Sequence, residues 1–294
     1  MPSLAELRKK IRGISSTRQI TKAMKMVAGA RFSRAARSNG DALYYQAELE
    51  KVLYAFLSLA GPPRAKLQRL YCLPGAAPAD DAGNMGLVVI AADKGLCGDF
   101  NNAVFREADG LIKKNGSRVT ALFAVGRKSV DHYHAATCKV RNNYQQFFNK
   151  FDFGMADKVG QDVLAAYQNE QLSSLVVVYS HFKSMIKQQV TAVRLLPIEP
   201  VPPAGTQHRG MLFEPIEEEE MLGTLVPMYL KARLYGMMRD SYAAELAARM
   251  RSMDNATRNA GDLIDSITLE MNKVRQAVIT RELAEIIATN EVVK

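Results

Sequence analysis

The chain has 294 residues, 48% of them hydrophobic and 23% charged, which allows one large core or two smaller ones in an ordinary folded protein. Its longest apolar runs, Leu87 to Ala92 and Leu175 to Tyr179, are far too short to span a bilayer, which excludes an integral membrane class. The net charge of +9 is concentrated at one end, because residues 1–40 hold ten Lys or Arg against the single acid Glu6.

Ser3-Leu4-Ala5-Glu6 is a capping-box pattern, so a helix is expected to start almost at the first residue. Leu4, Leu7, Ile11 and Ile14 follow the spacing of a coiled-coil seam. The apolar stripe then shifts phase to Ile20, Met24 and Val27, which predicts a partner that winds around this helix or changes along it. The same Arg-rich, Ser-containing, acid-poor composition also describes a mitochondrial transit peptide. A secretory signal is excluded, because no apolar h-region is present.

A more apolar helix follows over 41–60, through Leu49, Val52, Leu53, Phe56 and Leu57, and Gly61-Pro62-Pro63 stops it. Residues 74–86 read as a loop. The middle then has α/β rhythm. A buried strand is expected at Leu87–Ala92, a helix at Asn101–Lys114, a strand at Val119–Val125 and a helix at 155–170. Leu175–Ser180 and Gln189–Leu196 look like two more strands, paired as a hairpin. The alternation predicts a small sheet with parallel strands, flanked by helices.

Prolines 197, 200, 202 and 203 with Gly205 mark a linker, and Glu217–Glu220 sit where the last helix is expected to begin. Pro227, one or two turns inside, is expected to kink it. Residues 228–294 then contain no proline and only Gly236 and Gly261. As one helix they would run roughly 90 to 100 Å at about 1.5 Å per residue. Such a rod cannot bury its apolar stripe alone, and the first helix offers a partner. The expected fold class is α/β: a long antiparallel coiled coil of the N- and C-terminal helices plus a central α/β, Rossmann-like domain with a small sheet. The expected divisions are 1–60, 70–200 and 210–294. Two long terminal helices flanking a globular segment suggest a shaft that carries a head.

Several positions invite a chemical reading. Gly95-Leu96-Cys97-Gly98 lies between a strand and a helix, the setting of a nucleophile elbow, but Asp99 replaces the second spaced glycine and no His/Asp partners are evident. A structural turn is the expectation. Gly126-Arg127-Lys128-Ser129 echoes the end of a P-loop but lacks both the Gly-Lys pair and the upstream glycine, where Ala121 stands. His132, His134, His181 and His208 form no metal set, and neither do Cys72, Cys97 and Cys138. The odd cysteine number fits a reducing compartment. A nucleic-acid reader would be expected to carry aromatic or Asn/Gln contacts on the basic face, and Phe32 is the only aromatic before Tyr44, so a solvated or protein-facing basic helix is the expectation. Met237, Met238, Met250, Met253 and Met271 are expected to pack between helices.

Ile20-Thr21-Lys22-Ala23-Met24-Lys25-Met26-Val27-Ala28 closely resembles the gamma subunit of bacterial-type F-type (F1Fo) ATP synthases. The likeness recurs at Asp93 to Gly98 with Phe100-Asn101, at Glu245 to Ala260, and at Asn272 to Ile286. Ala92 and Ala244 stand where that family usually has serine, and Thr289-Asn290 where it usually has Gly-Ala. The resemblance sets the transit-peptide reading aside, because the family helix would begin near Ser3.

It implies a non-catalytic central-stalk rotor of a proton-translocating ATP synthase, with no cofactor or metal of its own. That rotor would transmit rotation between a membrane c-ring and the nucleotide sites of an alpha/beta hexamer. The implied partners are three alpha and three beta subunits, the epsilon subunit and the c-ring, on the cytoplasmic face of a bacterial inner membrane. Neither nucleic acid nor a direct membrane span is implied. By position, Lys22, Met24, Lys25, Arg249, Gln276, Thr280 and Glu285 would meet the hexamer or brace the shaft. Arg8, Lys9, Lys10 and Arg12 would face acidic loops of the bearing, where charge complementarity sets register. Phe213 and Glu214 would lie at the foot, near epsilon and the c-ring. Two other classes remain beside it: an α/β enzyme built around Cys97, and a coiled-coil adaptor or nucleic-acid-binding protein with an α/β domain.

Overall fold

A computed structural model describes residues 3–37, 39–60, 83–134, 140–145, 153–169, 172–198 and 217–292. The helices are α1 (Leu4–Arg37), α2 (Asn39–Ala60), α3 (Phe100–Asn115), α4 (Arg127–Tyr133), α5 (Phe153–Gln168) and α6 (Glu218–Val292). The strands are β1 (Met85–Ile90), β2 (Val119–Val125), β3 (Val140–Tyr144), β4 (Ser174–Phe182) and β5 (Gln188–Leu196). The chain divides into two compact units, one of residues 1–30 with 249–294 and one of residues 31–248. Helix α6, 75 residues long, contributes to both.

The second unit is built on a five-stranded sheet of order β3-β2-β1-β4-β5. The pairings β3–β2, β2–β1 and β1–β4 are parallel, and β5 is antiparallel to β4, as expected of a hairpin after parallel strands. Every residue of β1 is buried, which is why it reads as a continuous apolar run. Side chains alternate between the faces. Val88, Ile90, Ala121, Phe123, Leu175 and Val177 join a core with α2, α5 and the first part of α6. Leu87, Val89, Ala91, Leu122, Ala124 and Val178 join a second core with α3 and α4. The sheet is thus sandwiched between two helical layers, the α/β arrangement the strand–helix alternation predicts.

Two elements escape the sequence reading. β3 carries Arg141, Asn142 and Asn143 between Val140 and Tyr144, so it shows neither an apolar run nor full alternation. Among the described strands it is an edge strand, paired with β2 alone. α4 is seven residues long, too short to show a helical period. Small boundary corrections also apply. Met85 and Gly86 are strand and not loop, and Ala91 and Ala92 lie past the end of β1. Residues 74–82 of the expected loop and the linker from 199 to 205 lie outside the described residues.

The first unit pairs the start of α1 with the distal part of α6. The capping box forms as its sequence predicts, with the Ser3 amide donating to Glu6 Oε2 at 2.9 Å and the Glu6 amide to Ser3 Oγ at 3.2 Å. The Arg18 guanidinium carbon lies 3.7 Å from where a Cβ on Gly261 would stand. Thr21 Oγ1 lies 2.8 Å from Thr257 Oγ1, and Lys25 Nζ donates to Asp254 Oδ1 at 2.5 Å. Met250 Sδ is 3.4 Å from the Cβ position on Gly29. Partners on α6 fall in number as those on α1 rise, so the two helices are antiparallel.

The expected phase shift of the α1 stripe does not occur. Leu4, Leu7, Ile11, Ile14, Arg18, Thr21, Lys25 and Ala28 keep one unbroken heptad seam, with Leu7, Thr21 and Ala28 buried. Ile20 and Val27, assigned to a shifted seam, are 58% and 54% exposed. The apolar pattern misleads because the later seam positions are polar and find polar partners. α6 is helical on both sides of Pro227, which lies inside it.

Candidate functional site

At the carboxyl ends of β1 and β2 the chain has the setting of a nucleophile or phosphate site, but its polar groups are already committed. Cys97 is buried, and its Sγ accepts a hydrogen bond from Asn101 Nδ2 at 3.4 Å. Asn101 Oδ1 in turn accepts the Ala92 amide at 2.9 Å, so one side chain ties the turn to the end of β1. Leu96 adopts φ 63° to close this turn and leaves its own side chain exposed. The Arg127 amide donates to Asp93 Oδ1 at 3.0 Å, and the Lys128 amide to the Ala92 carbonyl at 3.0 Å. The amides that would hold a phosphate are therefore bonded inside the protein. Gly126, at φ 88°, is obligatory here: a Cβ would stand 1.9 Å from the Ala91 carbonyl oxygen. These residues make a structural turn.

Two of the histidines, His132 and His181, are similarly occupied. His132 stacks on Phe105 at 4.1 Å and shares Asp109 with the Tyr133 hydroxyl. His181 Nδ1 pairs with Asp240, whose other oxygen accepts the Phe182 amide at 3.0 Å. No three His, Cys, Asp or Glu side chains among the described residues converge as metal ligands. Among the methionines, Met237, Met238 and Met253 are buried as packing residues. Cys72, Cys138 and His208 lie outside the described residues.

What the molecule presents outwards is apolar surface on its long helices. On α1, Ile20, Met26 and Val27 are exposed, and Met24 is half-buried beside them. With equal rise in both helices, Leu4 falls opposite about Arg275, so α6 continues past the end of α1. On that overhang Ile279, Leu283 and Ile286 recur at four and three residues, with Val278 and Ile287 alongside, and all five are exposed. This is one apolar stripe without a partner from α1.

The residues singled out by position fall around these stripes. Lys22 is exposed next to Met24. Lys25 turns inward to Asp254, which also accepts from Arg258, and these hydrogen bonds hold the Asp254 carboxyl below its usual range. Arg249 is half-buried at the start of the distal part of α6. Gln276 and Thr280 are exposed on the overhang, where the Thr280 hydroxyl donates to the Gln276 carbonyl at 2.9 Å. Arg8, Lys9, Lys10 and Arg12 are all exposed. The side chain of Glu285, and Phe213 and Glu214 altogether, lie outside the described residues. The structure thus brings Lys25 to Asp254, which sequence reading missed; an i, i+4 Asp254–Arg258 pair on the facing helix was the available signal.

A family model described as ATP synthase matches residues 3–293 of the chain. The ATP synthase gamma chain of Pelotomaculum thermopropionicum is 35% identical over 288 residues, covering 98% of each chain. That of Nitratidesulfovibrio vulgaris is 35% identical over 301 aligned positions, covering all of both. The chain belongs to the ATP synthase gamma chain family.

The fold agrees. A chain of the Euglena gracilis mitochondrial ATP synthase (OSCP/F1/c-ring, rotational state 3) superposes with TM-score 0.67 at 18% identity, over 97% of this chain and 93% of its own. A chain of the Tetrahymena thermophila central stalk/c-ring structure does so with TM-score 0.59 at 24% identity, over 81% of this chain and 99% of its own. As a gamma-chain family member, the protein is a central-stalk subunit of an ATP synthase. Its exposed stripes are therefore subunit-contact candidates. No helix among the described residues is long and apolar enough to cross a membrane.

Proposed function

We propose that this chain is the non-catalytic rotor of a proton-translocating ATP synthase. It turns inside a ring of three alpha and three beta subunits, and its α/β unit meets the epsilon subunit and the c-ring. In this reading it lies peripherally at the cytoplasmic face of a bacterial inner membrane. One observation carries the proposal: the overhang of α6 exposes Ile279, Leu283, Ile286 and Ile287 with no partner among the described residues, a stripe that fits a sleeve from another protein.

The mechanism follows from asymmetry. A pair of helices has different sides, so three equivalent beta subunits meet different side chains at any one angle. Ile20, Met24 and Val27 would face one of them, and exposed Lys22 another direction of the same helix. An effector shifts a conformational equilibrium only by its differential contact with the states. Rotation then passes that differential contact from one beta subunit to the next, and their nucleotide affinities cycle with it. The basic side chains Arg8, Lys9, Lys10 and Arg12 supply long-range attraction to acidic bearing loops without rigid pairing. Gln276, Thr280, Glu285 and Arg249 are proposed as closer contacts or braces, and Phe213 and Glu214 as part of the foot.

Co-expression with alpha and beta subunits tests this. The expected product is a complex holding one copy per hexamer, whose ATP hydrolysis collapses when residues 276–294 are deleted. A chain that does not copurify, or a hexamer whose turnover is indifferent to it, would contradict the proposal.

A further inference from the structure

The heptad seam of α1 is apolar at Leu4, Leu7, Ile11 and Ile14, then polar at three successive positions, Arg18, Thr21 and Lys25, before Ala28. The facing seam on α6 runs Met250, Met253, Thr257, Ala260, Ile264, Ile267, Met271 and Val274 at the same alternating spacing. Its one hydroxyl, on Thr257, meets the one hydroxyl of the α1 seam, on Thr21. Lys25 reaches the flanking Asp254 at 2.5 Å, and Arg258 approaches that carboxylate from its other oxygen. Arg18 lies over Gly261, with its guanidinium carbon 3.7 Å from the Cβ position there, at van der Waals contact.

We infer that Arg18, Thr21 and Lys25, with Gly261, Thr257 and Asp254, form a register lock that holds α1 and α6 at a single axial alignment. The apolar part of the seam cannot do this by itself. Leucine, isoleucine and methionine repeat on both helices every seven residues, so a slip of one heptad would still place apolar groups against apolar groups. Polar groups at seam positions specify register because their partners exist at one alignment only. A one-heptad slip in one direction sets Thr21 against Ile264 and brings Lys25 to Gly261. The ammonium then loses its carboxylate and the Arg18 side chain its glycine. A helix pair that transmits torque is loaded along this sliding coordinate. The alignment itself concerns the chain alone, so it stands or fails independently of the rotor reading.

Spin labels at Gln19→Cys and Lys273→Cys in the full chain, with Cys72, Cys97 and Cys138 replaced by alanine, report the alignment. Both label sites are exposed, and they are axially offset by about 20 Å, so a heptad slip changes their separation by about 10 Å. The native polar set gives one distance population. Thr21→Leu, Lys25→Leu and Thr257→Leu together are expected to add a second population displaced by about 10 Å. Lys25→Glu alone is expected to do the same. The charge-reversed set Lys25→Glu, Asp254→Lys and Arg258→Glu restores the single population. Should the leucine set keep the single native distance, or the reversed set slip as freely as Lys25→Glu alone, the lock is refuted.

Discussion

Lys25 shows how a residue's role depends on its partner. By position it belongs with Met24 on the outward stripe, yet its ammonium is drawn across the helix pair to Asp254. Asp254 receives hydrogen bonds from Lys25 first and Arg258 second, and both lower its pKa from the ordinary 3.8. A carboxyl lowered on folding adds stability above its ordinary value and loses it as pH falls through the lowered one. Asp254→Asn should therefore melt below the native chain at pH 7 and converge with it only as pH falls from the ordinary 3.8 through the lowered value. Thermal melts across that range check the sign. Equal deficits at both ends of it would exclude titration of Asp254 as the cause. A second residue-scale case joins two departures that the sequence shows far apart. Ala92 and Ala244 are both fully buried in one small cluster with Cys97, Phe100, Ala248 and Phe182. Removing two hydroxyls from one apolar space is close to neutral, whereas restoring one alone buries an unpaired polar group. Ala92→Ser should cost about 1 to 2 kcal/mol in chemical denaturation. Adding Ala244→Ser should recover part of that loss, and a purely additive double variant would argue against shared space.

The elements differ in how far their sequences announce them. β1, β2, α3, α5 and the β4–β5 hairpin are legible because burial writes itself as apolar runs or a helical stripe, and their predicted ends fall within two residues of the observed ones. The start of α1 is legible to the atom, because a capping box is a local device that needs only Ser3 and Glu6. β3 is not legible, because the edge position relaxes the demand for apolar residues on both faces. The second half of the α1 seam is misread for a different reason. Apolar periodicity finds whatever stripe is apolar, and here Ile20 and Val27 of that stripe are exposed while Met24 is half-buried. The overhang of α6 poses the same ambiguity, and only the pairing register shows that its stripe lies beyond α1. Ile279→Asp with Leu283→Asp should thus leave the melt of the isolated chain within about 0.5 kcal/mol, since both side chains are exposed. The same pair should lower ATP hydrolysis of the hexamer complex at least tenfold. Chain destabilisation of several kcal/mol would instead place that stripe inside the fold.

At the scale of the whole molecule, one 75-residue helix belongs to two units with different tasks. Its first part closes a sheet core whose turns use up the groups that chemistry would need: Cys97 and Asn101 on each other, Asp93 on Arg127. Its last part pairs with α1 and then continues past the end of that helix. Family membership was legible in four ordered blocks of sequence, whereas the contacts that matter to rotation were not, because half of each contact belongs to another chain. The central claim is that the chain turns inside its hexamer. The direct measurement is to fix the alpha/beta ring to a surface, attach a bead through Ser184→Cys on the exposed β4–β5 turn, and supply ATP. Sustained rotation in one direction, ceasing when residues 276–294 are deleted, is the predicted result. A bead that stays still while the bound complex hydrolyses ATP would contradict it.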